Sequence, residues 1–260
     1  MTHGICKPCL AREIAKSGAP DTTRLEQLRV FYDELRTLAR SGRRTALYEA
    51  VAKGIHALAL GPLDLFMGII QPILHELGSL WEQGELTVAQ EHLFTAFAEE
   101  LLVELSRSLR EKLAADGRPL RRDGIGLERI DVLLACASGN SHVLGVKALE
   151  LCLLDAGIAC LAITPGLPPG ELLDLAREWR PTFLAVSVSL AEQLAGVEAL
   201  ARALAKEVGL QGVSLLVGGS SVRRDFALWS ALPGVTLAPG SVDELIGLIR
   251  SGLRRDELSA

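Results

Sequence analysis

The feature that most constrains this chain is a change of rhythm between residues 116 and 128. Before that stretch the apolar residues recur with a helical period, and after it short continuous apolar runs alternate with helical patterns. In the first part, "TTRLEQLRVFYDELRTLAR" predicts a helix over 22–40 that follows the capping candidates Asp21 and Thr22 and stops at Ser41-Gly42. A second helix is predicted over about 44–60. Gly61-Pro62 opens a third, because proline suits the first helical position, and Pro72 inside it should kink it before it ends near Gln83-Gly84. The fourth begins at Thr87, where "TVAQ" has capping-box spacing, and runs towards Ala115. Short connections between such helices favour an antiparallel four-helix bundle over residues 22–115.

The stretch 116–128, rich in Gly, Arg and Asp, is the expected linker, and residues 1–21 form a tail. From 129 to 260, "IDVLLACAS", "IACLAIT", "TFLAVSVSL", "VSLLVGG" and a short "VTLAP" read as strands. They alternate with helical patterns near 142–156, 170–179, 191–208, 222–231 and 241–253. Continuous apolar strands with helical crossovers predict a five-stranded parallel sheet covered on both faces, a flavodoxin-like α/β domain. Such sheets bind ligands outside the carboxyl ends of their strands, which is where the chemistry is sought.

Composition narrows the function. With 260 residues and 49% hydrophobic content, each half can bury a core of its own. A formal charge of -5 gives no general attraction for polyanions, although Arg121-Arg122 and Arg223-Arg224 are local basic pairs, so a free-standing DNA-binding module is disfavoured. Asp64, Gln71 and His75 interrupt the strongest apolar stretch, and no secretory leader is visible, so a cytoplasmic protein without membrane contact is expected. Five cysteines, three of them in apolar runs, do not suggest a disulfide framework. Cys6 and Cys9 in "CKPC", with His3 nearby, have metal-ligand spacing, but no second Cys pair completes a closed zinc site.

The first strand of the α/β half ends in "ASGNSHVLG", which puts Asn140, Ser141 and His142 at a helix start, where a neutral imidazole could donate to a metal. A surface histidine would look the same. The third strand ends in "SVSL", offering Ser187 and Ser189 before Leu190, and the fourth in "GGSS", where Gly218 and Gly219 precede Ser220 and let a ligand come close. Neither makes a phosphate-binding fingerprint. In the helical half, Trp81 stands before a Gly-containing turn, and Val88, Glu91 and His92 follow it. Without the α/β half, Trp81 would read rather as an ordinary core residue and Glu91 as a solvated first-turn carboxylate.

In combination these motifs resemble a known family. A helical bundle followed by a flavodoxin-like domain with His142-Val143-Leu144-Gly145 after its first strand, Ser187 or Ser189 after its third and Gly218-Gly219 after its fourth looks like the cobalamin-binding module of methionine synthase and its relatives. Trp81, nine residues, then Glu91-His92 is similar to the Trp-x9-Glu-His signature of CarH-type adenosylcobalamin photoreceptors. The resemblance spans roughly residues 25 to 255. It implies that His142 binds cobalt from below, displacing the cofactor's own base, whose nucleotide tail passes Ser187 and Gly218-Gly219. It also implies that Trp81, Val88, Glu91 and His92 wall the upper face, with an aromatic surface and hydrogen-bond partners for an adenosyl group.

The chain departs from that pattern in three places. Asn140 stands where relatives usually carry an acid, so the histidine it faces should be a weaker, less basic ligand. Glu82 stands where some CarH-type proteins have a histidine that caps cobalt after photolysis, and a carboxylate is a poorer partner for cobalt. Residues 1–21 are too short for a helix-turn-helix domain, so output is expected through a protein partner or a change of homo-oligomeric assembly rather than through DNA.

The expected function is therefore an adenosylcobalamin-binding, light-responsive regulatory or sensor protein and not an enzyme, since no nucleophile, base or substrate domain is recognisable. Alternatives are a corrinoid carrier that shuttles methyl groups as methylcobalamin in a methyltransferase system, and a fold that has lost its cofactor or exchanged it for haem.

Overall fold

A computed structural model describes residues 22–115 and 130–259 of the chain. The expected linker and the tail with Cys6 and Cys9 lie outside the described residues. The chain divides into two compact units, one ending at Leu105 and the other beginning at Ser106.

The first unit is helical: α1 (Thr22–Ser41), α2 (Arg44–Leu58), α3 (Pro62–Leu65), a π-helical turn (Phe66–Ile70), α4 (Gln71–Glu82) and most of α5 (Val88–Ala115). The turn of Phe66–Ile70 is how Pro72 is accommodated. Gln71 donates its N–H to Phe66 O, one residue further back than an α-helix allows, and Pro72 then sits in the first turn of α4, where its missing N–H costs nothing. Leu35, Leu47, Phe66, Ile70, Ile73, Leu77, Phe94 and Phe97 form the buried core. Gly54 lets α2 lie close against α1, since a Cβ there would meet the Phe31 ring at 2.3 Å. Tyr48 packs edge-on against Phe97 with centroids 4.9 Å apart, and Arg44 and Tyr48 both hydrogen-bond Glu100, tying α2 to α5. The α5 start is the expected capping box. Gln90 N–H donates to Thr87 Oγ1 at 3.2 Å and Thr87 N–H to Gln90 Oε1 at 3.0 Å.

In the second unit, β1 (Val132–Cys136), β2 (Cys160–Ile163), β3 (Phe183–Ser187), β4 (Ser214–Gly218) and β5 (Thr236–Leu237) form one parallel sheet in the order β2-β1-β3-β4-β5. This is the flavodoxin-like arrangement expected from the strand pattern. The crossovers are α6 (Leu144–Asp155), α7 (Pro169–Trp179), α8 (Leu194–Lys206), the short α9 (Ser220–Arg224) and α10 (Phe226–Ser230), and α11 (Val242–Ser259) closes the unit. The helix expected over 222–231 is split at Asp225, whose carboxylate caps α10 by accepting from Leu228 N–H at 3.1 Å. One sheet face, with Leu133, Ala135, Leu184, Val186, Leu215 and Val217, packs on α7, α8 and the fully buried Trp229. Edge strand β2 is protected by Glu150, which accepts Ala162 N–H at 3.0 Å and pairs with Arg110 of α5 at 2.7 Å. Among the described residues no helix is long and apolar enough to cross a membrane.

Candidate cofactor site

The carboxyl ends of β1, β3 and β4 are in register, with Cys136 opposite Ser187 and Ser187 opposite Gly218. Past Cys136 the chain reverses through Gly139, at φ +73°, and Asn140 N–H closes the turn on Ala137 O at 2.9 Å. Asn140 is only 2% exposed. Its Nδ2 donates to Ser187 O at 3.0 Å, and its Oδ1 accepts His142 N–H at 3.0 Å and lies 3.2 Å from His142 Nδ1. The amide is oriented by its partners, nitrogen towards a carbonyl and oxygen towards donors. That arrangement selects the imidazole tautomer protonated at Nδ1 and leaves the Nε2 lone pair as the donor on an exposed ring. His142 precedes α6 by two residues rather than standing in its first turn as expected, because the chain is still held by Asn140. Beneath it, burial pushes the Cys136 thiol up to about 11, and its Sγ reaches His142 O at 3.8 Å.

The glycines of the rim divide into two kinds. At Gly219, φ is +117° and a Cβ would stand 2.2 Å from Val188 O, so the chain's own close approach of the β4 end to the β3 end requires glycine there. A Cβ on Gly218 would lie 3.0 Å from Ala238 Cβ. At Gly219, then, the fold supplies a reason for glycine that needs no ligand, while at Gly218 the contact is tight. Gly145 is different: it is exposed and a Cβ would meet nothing within 4 Å. Gly166, which sequence reasoning passed over, would put a Cβ 2.0 Å from Ala137 O, and its only signal was the "TPG" after β2.

The β3 exit is held from two sides. Gln193 Oε1 accepts Ser189 N–H at 2.8 Å and Leu190 N–H at 3.2 Å, while Ser189 O takes hydrogen bonds from Ser220 Oγ at 3.4 Å and from Arg224. Ser189 is buried, Ser187 half-buried and Leu190 exposed. Gln193 and Arg224 are rim residues that sequence reasoning missed, since neither belongs to a motif. Ser141 is exposed, and Val143 and Leu144 are half-buried as the chain enters α6.

In the helical unit the candidate residues flank the turn between α4 and α5. Trp81 is 46% exposed and Val88 52%, so the alternative of an ordinary core tryptophan fails. The turn is closed by Gly84 N–H on Trp81 O at 2.9 Å and Glu85 N–H on Leu80 O at 2.8 Å. Glu91 is no free first-turn carboxylate either. Its Oε2 lies 2.5 Å from His92 Nδ1, and its Oε1 accepts the Thr95 hydroxyl at 2.7 Å. The His92 side chain is 72% exposed. Glu82, after Trp81, is exposed at the α4 end.

Residues 32–105 match the model of the B12 binding domain. That segment contains Trp81, Val88, Glu91 and His92. The HTH-type transcriptional repressor CarH of Myxococcus xanthus is 28% identical over 174 residues, which are 67% of this chain and 53% of the repressor. The chain thus spans about half the length of that curated relative. The monomethylamine corrinoid protein of Methanosarcina barkeri superposes with a TM-score of 0.66 at 15% identity, over 85% of this chain and 97% of that one, and so shares the fold.

The residues present fit a corrinoid. An exposed imidazole with its Nδ1 hydrogen-bonded presents one nitrogen to a transition metal. Three residues further on, Gly145 is exposed, with open space where a Cβ would stand. Among the described residues no group of three or more His, Cys, Asp or Glu converges to hold a metal ion.

Proposed function

We propose that this chain binds adenosylcobalamin, with His142 as the lower cobalt ligand, and serves as a light-responsive regulatory or sensor protein rather than an enzyme. The observation that carries the reading is the tryptophan that the helical unit leaves exposed beside a turn whose far side bears Val88 and the hydrogen-bonded pair of Glu91 and His92. An apolar surface with fixed polar handles suits a nucleoside group, which needs both stacking area and hydrogen-bond partners. The cofactor would supply a light-labile cobalt–carbon bond. The protein's part is to hold, orient and exclude water. In the α/β unit Asn140 aims His142, and Ser187, Ser189, Leu190 and Ser220 with Gly218 and Gly219 would frame the cofactor's lower side; in the helical unit Trp81 would offer an apolar surface to the adenosyl group. Signalling then proceeds through a protein partner or a change of homo-oligomeric assembly.

A second reading, a methyl carrier using methylcobalamin, is favoured by one observation: the exposed residue after Trp81 is Glu82, not an imidazole that could cap cobalt. The two separate in one experiment. Protein loaded with adenosylcobalamin in the dark is followed by visible absorption and size-exclusion chromatography before and after green light. Spectral conversion with a change in assembly supports the sensor. Preference for methylcobalamin with no change in assembly moves the assignment to the carrier.

A further inference from the structure

One charged patch of the helical unit is left uncancelled by the fold. Residues 35–48 carry four arginines, Arg36, Arg40, Arg43 and Arg44, and no Asp or Glu, in a chain whose formal charge is -5. They span the end of α1, the turn at Gly42 and the first turn of α2. Neighbouring arginines of the unit are each given an acid. Arg29 lies 3.9 Å from Asp33, Arg36 lies 3.4 Å from Asp33 and 3.7 Å from Glu76, and Arg44 pairs with Glu100. Arg40 and Arg43 are exposed, and among the described residues neither pairs with an acid, although Arg43 Nε donates to Ser41 Oγ at 3.2 Å.

Helix stability does not account for them. Arg43 is the N-cap of α2 and Arg44 its first residue, at the positive end of the helix dipole, where a cation is unfavourable. No acid stands in that first turn, and no side chain caps it.

The turn itself is held against α5. Gln90 Nε2 donates to Arg40 O at 3.1 Å, and a Cβ on Gly42, whose φ is +66°, would stand 3.3 Å from Leu93 Cδ1. Leu93 is 44% exposed, and Gln90 and Leu93 bracket Glu91 and His92 in the chain. Two uncancelled guanidinium groups thus rise from a fixed turn beside an exposed leucine. Guanidinium grips carboxylates as a fork, so the surface fits acidic side chains set around an apolar one. A nucleic acid is the poorer match. Two free cations are far fewer than the roughly six to ten phosphate contacts of a strong duplex binder, and the chain's net charge opposes a polyanion.

We propose that the α1–α2 turn, through Arg40, Arg43 and the adjoining Leu93, is the docking surface for an acidic segment of a protein partner. For its purpose this rests on the regulatory reading above, and it deepens that reading by naming the surface through which a signal would leave, bonded to the residue that precedes Glu91.

The test titrates the full chain with a short fluorescein-labelled peptide in which glutamates flank leucines, followed by fluorescence anisotropy. The unaltered chain should bind, and Arg40→Glu with Arg43→Glu should weaken binding at least about tenfold. Arg29→Glu with Lys53→Glu makes the same change of charge on exposed positions of α1 and α2 and should leave the affinity within about twofold. No binding by the unaltered chain, an equal loss in both double variants, or a labelled DNA duplex bound more tightly than the peptide overturns the proposal. Should the first double variant fail to fold, nuclear magnetic resonance of the arginine Nε–H groups of the unaltered chain decides: Arg40 and Arg43 should shift with the peptide while Arg29 stays, and uniform shifts overturn the idea. The titration needs no cofactor. A chain that binds the peptide but not cobalamin therefore loses the sensor reading and keeps this surface, whereas one that binds cobalamin but not the peptide loses this surface alone.

Discussion

The two tryptophans whose surroundings differ most, Trp81 in the helical unit and Trp229 in the α/β unit, summarise the contrast between the halves. Trp229 is fully buried and its Nε1 donates to Ser221 Oγ at 3.1 Å, so every part of the side chain is used by the fold. Trp81 sits at a helix end with nearly half its surface in water. The same difference runs through the candidate residues. Around β1, β3 and β4 they are held by the rest of the unit: Asn140 by three contacts, Ser189 by the side chains of Gln193 and Arg224, Gly219 by the backbone of Val188. Around the α4–α5 turn they stand on a firmly capped scaffold but project from it. The α/β unit thus holds its candidate residues in place, whereas the helical unit leaves its own exposed.

Substitutions can break or sharpen that contrast. Trp229→Ala should cost about 3–5 kcal/mol, measured by denaturant unfolding, because it empties a core site and strands Ser221. Gly219→Ala should cost on the order of 3 kcal/mol, since a methyl group would collide with Val188 O at a φ that alanine rarely adopts. Gly145→Ala, with nothing nearby, should leave the melting temperature in place and instead reduce corrinoid affinity. Stability loss at Gly145 equal to that at Gly219 would erase the distinction between the two kinds of glycine.

Asn140→Asp should lose about 1–3 kcal/mol of stability, because Ser187 O would then face a carboxylate oxygen where it now receives a donor. The same change should strengthen His142 as a ligand, read as a shift in the pH at which histidine ligation is lost. Thr87→Ala removes one half of the capping box and should cost about 1 kcal/mol. Trp81→Ala is expected to change stability least, by about 1 kcal/mol or less, while lowering the preference for adenosylcobalamin over methylcobalamin. A large stability loss would return Trp81 to the ordinary core.

Much of this was legible in the residues because it rests on local rules. The strand runs, the crossovers and the Thr87 box follow from periodicity and capping, and the sheet order is that of the expected flavodoxin-like class. Pro72 announced an interruption, but whether a helix bends or widens into a π turn depends on what packs beside it, which periodicity does not contain. Gly219, read as serving a ligand, and Gly166, passed over, both answer to backbone just beyond other strands, which is long-range. Gln193, also passed over, grips the Ser189 and Leu190 N–H groups just before it but belongs to no motif. Asn140 illustrates the same limit: its acceptor role towards His142 was readable from spacing, whereas its donor bond to a carbonyl 47 residues away was not.

The central claim is that a protein nitrogen, that of His142, occupies the lower position on cobalt. It is tested most directly by electron paramagnetic resonance of the protein loaded with cobalamin and reduced to cob(II)alamin, prepared once with natural-abundance and once with 15N-labelled histidine. The account predicts that the superhyperfine splitting from the axial nitrogen changes from triplets to doublets on labelling and that the effect disappears in His142→Ala. Triplets that persist in the labelled protein would mean that the cofactor's own base is still bound, and would contradict it.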